Sequence, residues 1–335
     1  MERMMKVALV GAGGIGHSHG NAYLQLPGVK ITAVVDIRLE KAEEVAEEHG
    51  AKAYSTLESM LQTEDVDMVD ICVPSYLHKE FSLKCMERKL HVLCEKPIAH
   101  TLEDAQAMVD AAERTGVKFM IAQVIRFWPE YMYLKKVYDE KTYGSLRILQ
   151  FSRTSAAPAW SWRNWYLDPH RSRKAPFELH IHDADFICYL LGLPKRVQSW
   201  LYEQDELNFS HIKTRYIYNE ALLIEAEGGW YRGTLPFSAT YRAVFERGLL
   251  EYKDEDLVVY PSQKKAFHVD LFSGSEVPAN INKNAVGMYN EIAYFVDCVR
   301  NDRPVQVVTP QDSLNSLRML LIEMDSARSG NTLDV

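Results

Sequence analysis

Lys6-Val-Ala-Leu-Val-Gly-Ala-Gly-Gly-Ile-Gly16 decides the fold. Residues 7–10 are a short apolar run of the kind that forms a buried strand, and the run stops at Gly11. The spacing Gly11-x-Gly13-x-x-Gly16 follows at once, and Ile15, Ala22, Tyr23 and Leu26 then recur at helical intervals. Strand, tight turn and helix in this order make a dinucleotide-binding fingerprint. Gly11 lets the chain turn, Gly13 lets backbone approach a pyrophosphate, and Gly16 lets the helix sit close to the sheet. Gly14 and Ile15 complete the first helical turn and join them as expected cofactor contacts. The helix N-terminus offers N–H groups and a partial positive charge to phosphates.

Outward from this stretch, Ile31-Thr-Ala-Val-Val-Asp36 is a second apolar strand ending in an acid. In such a unit the carboxylate accepts hydrogen bonds from the adenosine ribose. Asp36 also repels a 2′-phosphate, so NAD is expected over NADP, and Arg38 softens that preference.

A chain of 335 residues implies two domains. The composition, 47% apolar and 25% charged, is that of a globular protein, and the net charge of −8 argues against a nucleic-acid partner. No apolar run approaches the roughly 20 residues of a membrane span. Met1-Glu-Arg-Met-Met leads directly into the first strand, which leaves no room for a signal peptide. Cys72, Cys85, Cys94, Cys188 and Cys298 are irregularly spaced within apolar segments and read as reduced core residues, so a cytoplasmic location is expected.

Strands and helices alternate as far as about residue 123. Helices are expected over Leu39–His49, 57–61, 78–88 and Leu102–Thr115, with strands near 53, over 66–73, 91–94 and 117–122. This rhythm implies a doubly wound parallel sheet that binds ligands at its strand carboxyl ends, where Pro74 and Lys96 fall. Beyond, helices are expected over 129–140, 178–191, 288–300 and 311–329. A strand over 146–153 precedes a loop over 155–174 rich in Trp and Arg. Strand-like runs near 196–201, 212–217, 221–227, 238–246, 248–252 and 257–260 lack intervening helices, which points to an antiparallel sheet. The expected architecture is α/β plus α+β, with residues 1–123 as an NAD-binding Rossmann domain. Residues 124–335 form a second α+β domain, built on an open antiparallel sheet, for substrate and oligomerisation.

Five stretches resemble the Gfo/Idh/MocA oxidoreductases, the relatives of glucose-fructose oxidoreductase and inositol dehydrogenase. They are Gly11 to Gly16, Pro74-Ser-Tyr-Leu-His78, Glu95-Lys-Pro97, Arg126-Phe-Trp-Pro129 and Glu178-Leu-His-Ile-His-Asp-Ala-Asp185. The tail matches as well, through Tyr289-x-Glu291, Phe295, Pro304 and Ser326-Ala-Arg-Ser-Gly330. The resemblance implies a Rossmann domain followed by a large open sheet, as the strand pattern also does. It implies NAD-dependent oxidation of a secondary alcohol of a sugar, inositol or sugar acid. It puts Lys96, Glu178 and His182 at the family's catalytic lysine, acid and histidine positions, and Pro74, Ser75, His78 and Glu95 beside the cofactor.

The chemistry suits those residue types. Oxidising an alcohol needs a base titrating near neutral pH and a donor for the developing carbonyl oxygen. An imidazole titrates near 6.5, so His182 is the expected base, and Lys96 the oxygen holder or proton relay. Glu178 lies one helical turn before His182 and can orient the imidazole or pair with Lys96. The family usually has aspartate there.

The family also commonly has glycines around the acid, where this chain has Arg173-Lys-Ala-Pro176 and His180. Arg126, Trp162, Arg163, Tyr166 and His180 are therefore expected substrate contacts. Arg163, Arg171, Arg173 and Lys174 suggest an anionic substrate group, or simply a solvated loop. Glu178, His180, His182 and Asp183 can be read as a metal cluster, but residues two apart on a helix point in nearly opposite directions, and no metal is expected. His17 and His19 read as helix-start or cofactor-side packing residues. Two other functions stay open: chemistry with tightly bound NAD and no net redox (epimerisation, elimination, glycoside cleavage), and a non-catalytic dinucleotide sensor. A homodimer or homotetramer is expected, because an open sheet leaves a face to cover.

Overall fold

The structure, a computed structural model, describes residues 3–168, 170–204, 209–272, 277–278 and 281–335. Met1 and Glu2, part of the stretch behind the expectation about a signal peptide, lie outside the described residues. The chain begins β1 (Met5–Val10), α1 (Gly14–Tyr23), β2 (Val29–Val35), α2 (Leu39–His49), β3 (Lys52–Tyr54), α3 (Leu57–Thr63) and β4 (Met68–Ile71). It continues through α4 (His78–Glu87), β5 (His91–Glu95), α5 (Leu102–Thr115), β6 (Phe119–Ala122), α6 (Pro129–Asp139) and β7 (Leu146–Ala156). A π turn (Pro176–His180) leads into α7 (Ile181–Leu191), followed by β8 (Arg196–Gln204), β9 (Phe209–Ile217), β10 (Leu223–Tyr231) and β11 (Ser238–Phe245). The remainder is β12 (Gly248–Lys253), β13 (Asp256–Pro261), β14 (Phe267–His268), α8 (Val286–Arg300), α9 (Pro310–Ser329) and β15 (Leu333–Asp334).

Contacts divide the chain into two compact units. Unit 1 is Met1–Trp128 with Glu276–Leu314, and unit 2 is Pro129–Ser275 with Asn315–Val335. This division differs from the 123/124 boundary expected above, because a late segment returns to unit 1. The cause is α8, whose Ile292, Phe295 and Val296 join the core of Val7, Leu9, Val34, Met68 and Leu93. Periodicity shows that α8 has an apolar face, but not which sheet that face covers.

The sheet of unit 1 is parallel throughout, in the order β3-β2-β1-β4-β5-β6. The order reverses between β1 and β4, and sheets of this type bind ligands at that point. Helix ends follow local chemistry. The Thr101 hydroxyl accepts from the Asp104 N–H (3.1 Å) to start α5. Gly50 (φ 57°) and Gly116 (φ 70°) take left-handed conformations that end α2 and α5.

The sheet of unit 2 runs β14-β13-β12-β11-β7-β10-β9-β8-β15. The antiparallel expectation needs one correction: β7 and β10 pair in parallel, while the other pairs are antiparallel. Residues 157–222 supply the long crossover that a parallel pair requires. Alternation buries Phe151, Ala226, Tyr241 and Leu250; Tyr131 of α6 stacks on Phe151 and meets Tyr241 edge-on, and Phe186 of α7 meets Phe151 edge-on. Arg153 of β7 is buried in the same layer. It donates to both carboxylate oxygens of Asp183 (2.9 and 2.8 Å) and to the Tyr131 hydroxyl (2.9 Å). Among the described residues, no helix is long and apolar enough to cross a membrane.

Candidate active site

In unit 1, the candidate residues stand at the carboxyl ends of β1, β2, β4 and β5. Gly11 has φ 105°, and a Cβ there would press on the Cys72 carbonyl. A Cβ at Gly16 would collide with the Gly11 carbonyl oxygen, so only glycine lets α1 approach β1 this closely. Gly13 and Gly14 instead face open space, with nothing within 4 Å of a Cβ. Gly13 caps α1 without a side-chain hydrogen bond, so the helix start has no side-chain cap. Gly16→Ala should cost about 1–3 kcal/mol through overpacking, while Gly13→Ala should leave stability unchanged and weaken dinucleotide binding. Thermal melts and NADH fluorescence titrations of both variants check this contrast.

Asp36 sits beside that turn. Its carboxylate accepts from the Ala12 N–H (2.9 Å) and the Arg38 N–H (2.9 Å), and the Arg38 guanidinium approaches to 3.2 Å. Arg38 thus partly neutralises the acid expected to select the cofactor.

Lys96 stands on the turn after β5, and the Lys96–Pro97 peptide is cis. Both of its neighbours are held by a histidine. His78 turns its two ring nitrogens to the Pro97 and Val73 carbonyls (2.7 and 3.0 Å), tying two strand-end turns together. Ser75 bonds His100 (2.9 Å) alongside. Glu95 accepts from the Lys96 N–H (3.1 Å) and from His19 Nε2 (3.2 Å). The other nitrogen of His19 donates to Asp70 (2.8 Å).

His19 and Asp70 are fully buried. Burial opposes a charge on His19, but Asp70 and Cys72 outweigh it and raise the ring well above 6.5. Burial likewise pushes Glu95 up, and His19, with Lys96 and His78, brings its carboxyl below 4.5. His19 thus stabilises the fold fully below about pH 6.5 and loses that contribution as pH rises through its folded value. Glu95 does the reverse, losing its contribution as pH falls through its lowered folded value. The sequence reading passed over Asp70 and took His19 for packing. The signal was an acid in the middle of an apolar strand, which must find a partner.

In unit 2, the helix expected from 178 begins at Pro176, and its first turn is a π turn. Glu178 is therefore on the π turn and His182 on α7, so the simple one-turn α spacing expected between them does not hold. Glu178 is buried and accepts from the Ser172 hydroxyl at 3.5 Å, while His182 is half-buried.

His180 was expected to contact substrate, but it lies in the core. Its Nε2 donates to Glu323 (2.8 Å), beside the Tyr216 hydroxyl (3.2 Å), and Gly228 of β10 crosses its Cβ. Thr214 donates to the same Glu323 oxygen (2.9 Å). Asp183 is taken by Arg153, so Glu178, His180, His182 and Asp183 do not gather as a metal set. Among the described residues, ligand atoms cluster only at His19, Asp70 and Cys72. Burial raises the Cys72 thiol, and that cluster is a hydrogen-bonded ion pair.

Trp162 and Arg163 do lie toward the surface, with the guanidinium 4.7 Å from the indole ring. Arg163 and Asn164 take left-handed conformations (φ 51° and 50°). Tyr166 stacks on Trp165 (3.9 Å) and meets Trp230 edge-on (5.7 Å), which is packing. Arg171 pairs with Asp168 (3.2 Å), and Arg173 lies over Phe177 (5.3 Å). Arg126 is 3% exposed and donates to the Val307 carbonyl (2.6 Å) and Asp312 (3.4 Å). It anchors the returning segment of unit 1, a partner too distant in sequence to foresee.

Residues 5–123 match the model of an oxidoreductase family with an NAD-binding Rossmann fold, and residues 131–217 match the GFO/IDH/MocA C-terminal domain. The chain belongs to the Gfo/Idh/MocA family. One relative is the 4-carboxy-2-hydroxymuconate-6-semialdehyde dehydrogenase of Sphingobium sp., 35% identical over 44% of this chain and 46% of that protein. Another is the 2,7-anhydro-N-acetylneuraminate hydratase of Mediterraneibacter gnavus, 31% identical over 57% of this chain and 50% of that protein. The chain thus spans about half the length of the curated relatives it matches. The fold as a whole is similar to that of levoglucosan dehydrogenase, solved with NADH and levoglucosan. That structure has a TM-score of 0.86 at 20% identity and covers 99% of both chains.

Proposed function

We propose that this protein is an NAD-dependent dehydrogenase that oxidises a secondary alcohol of a sugar, inositol or sugar acid. The observation that carries the reading is in unit 1. A glycine-lined helix start after β1 and a lysine bracketed by two histidine-held residues after β5 lie at the carboxyl end of the same parallel sheet, with β4 between them. That open cradle fits a pyrophosphate, and bound NAD would supply the two-electron acceptor. Gly11, Gly13, Gly14, Ile15, Gly16, Asp36 and Arg38 hold the adenosine diphosphate part. Pro74, Ser75, His78, Glu95 and Lys96 serve its nicotinamide end. NAD is preferred to NADP through Asp36.

Lys96 donates to the reacting oxygen and stabilises the charge that develops there. His182 takes the hydroxyl proton, with Glu178 orienting it, and Trp162 and Arg163 bind substrate. The open face of the unit 2 sheet joins copies into a homodimer or homotetramer, and the five free thiols suit the cytoplasm.

A panel of sugars, inositols and sugar acids with NAD tests the reaction by absorbance of the reduced nicotinamide. No absorbance change with any of them would refute it. Asp36→Ala should weaken NAD binding about tenfold and narrow its advantage over NADP. Tighter NADP binding by the unmodified protein would refute the Asp36 assignment. The hydratase among the relatives favours one second reading, transient redox on retained NAD. Repeated turnover without added NAD or net NADH would select it.

A further inference from the structure

We propose that His19 is a positioning residue for Lys96: by bridging Asp70 to Glu95, it fixes the carboxylate that holds the Lys96 amide. The inference rests on the role given to Lys96 above.

Asp70 and Glu95 come from the neighbouring parallel strands β4 and β5, and both carboxylates reach the ring of His19. Side by side, one buried and one part-buried, two such groups repel each other or take up a proton. His19 arrives from α1 on the other side and donates one ring nitrogen to each, at 2.8 and 3.2 Å. The groups acting on it are Asp70 of β4, Cys72 just after β4 and Glu95 of β5; Tyr23 of α1, itself near Glu291 of α8, stands by Asp70, and Lys96 and His78 stand by Glu95.

The trio carries one net negative charge, which the ammonium on the next residue balances. Glu95 has two oxygens and two duties: Oε1 receives His19, and Oε2 receives the backbone N–H of Lys96. Rotation of this carboxylate therefore releases the lysine turn on one side. His78 restrains the other side through Pro97. Without the ring of His19, Glu95 is left with an unopposed carboxylate neighbour and turns toward the nearest cation, the Lys96 side chain. The ammonium is then drawn away from the reacting oxygen.

The experiment has two arms. In the first, ring-15N histidine spectra of the intact protein are followed with pH, and His19 is assigned by its absence in His19→Gln. The expected result is a His19 ring doubly protonated at pH 7 and titrating at lower pH in Glu95→Gln. A neutral His19 ring at pH 7, or no response to Glu95→Gln, overturns the bridge.

The second arm is a double-mutant cycle on turnover of the best panel alcohol. His19→Gln should lower kcat about thirtyfold and leave KM for NAD within about threefold. In the Glu95→Gln background the same change should cost less than about threefold, because the carboxylate it restrained is gone. Equal losses in both backgrounds overturn the proposal. Full turnover by Lys96→Met refutes the reaction assigned above instead, and the ring titration still decides whether His19 bridges the acids.

Discussion

Lys96→Met lowers turnover about a thousandfold and leaves NADH affinity within about threefold, because it removes a donor needed only as the alcohol oxygen gains charge. Methionine keeps most of the side chain's length and bulk but has neither the donor nor the charge. The turn itself survives, since Glu95 bonds the backbone N–H of residue 96 and His78 holds the Pro97 carbonyl. Lys96→Arg recovers little, because a planar guanidinium places its donors differently from a compact ammonium. His182→Ala should fall by about a hundredfold or more and lose the acid limb of the pH profile, as expected when a general base is deleted. Steady-state kinetics with the best panel alcohol, beside NADH fluorescence titrations, decide the matter. Undiminished kcat in both variants would remove both residues from the mechanism.

Arg153→Met destabilises unit 2 by about 3–5 kcal/mol, the cost of leaving one partner of a buried ion pair alone. The guanidinium is 2% exposed and spends two bonds on Asp183 and one on Tyr131. Methionine fills much of the volume, but Asp183 keeps a carboxylate with no counter-charge beside it. Replacing both partners, Arg153→Met with Asp183→Leu, should regain most of the loss, since matched apolar pairs often equal buried salt bridges. Urea unfolding followed by the tryptophan signal of unit 2 measures both variants. A loss under about 1 kcal/mol in the single variant would show that water reaches the pair. Asp183 follows His182 directly, so the single variant should also loosen the start of α7 and lower kcat.

Local chemistry was legible along the chain. α2 and α5 run over the residues expected, because a threonine cap and left-handed glycines mark their ends. The strands of unit 2 appear where apolar residues alternate, with ends shifted by up to four residues: β10, expected over 221–227, runs Leu223–Tyr231, and the two-residue strands β14 and β15 were not foreseen. The first turn of the acid-bearing helix was misjudged, because Pro176 and the crossing of Gly228 over His180 impose a wider turn than helical spacing suggests. Arg126, Tyr166 and His180 drew attention as polar or aromatic residues near the chemistry. Their partners proved to be Val307 and Asp312, Trp230, and Glu323.

By itself, the sequence determined which segments become strands and helices, where the glycine turn falls, and which side chains stand at strand ends. Those are decisions of neighbouring residues: backbone freedom at glycine, caps, and the period of apolar positions. Only the tertiary structure decided that β7 and β10 run parallel and that α8 covers the first sheet. Only it showed that a histidine after the glycines bridges a buried acid and a part-buried one. In each case the deciding contact joins residues far apart in the chain. An apolar face or a buried charge states that a partner is required, and its identity emerges when the chain has folded around it.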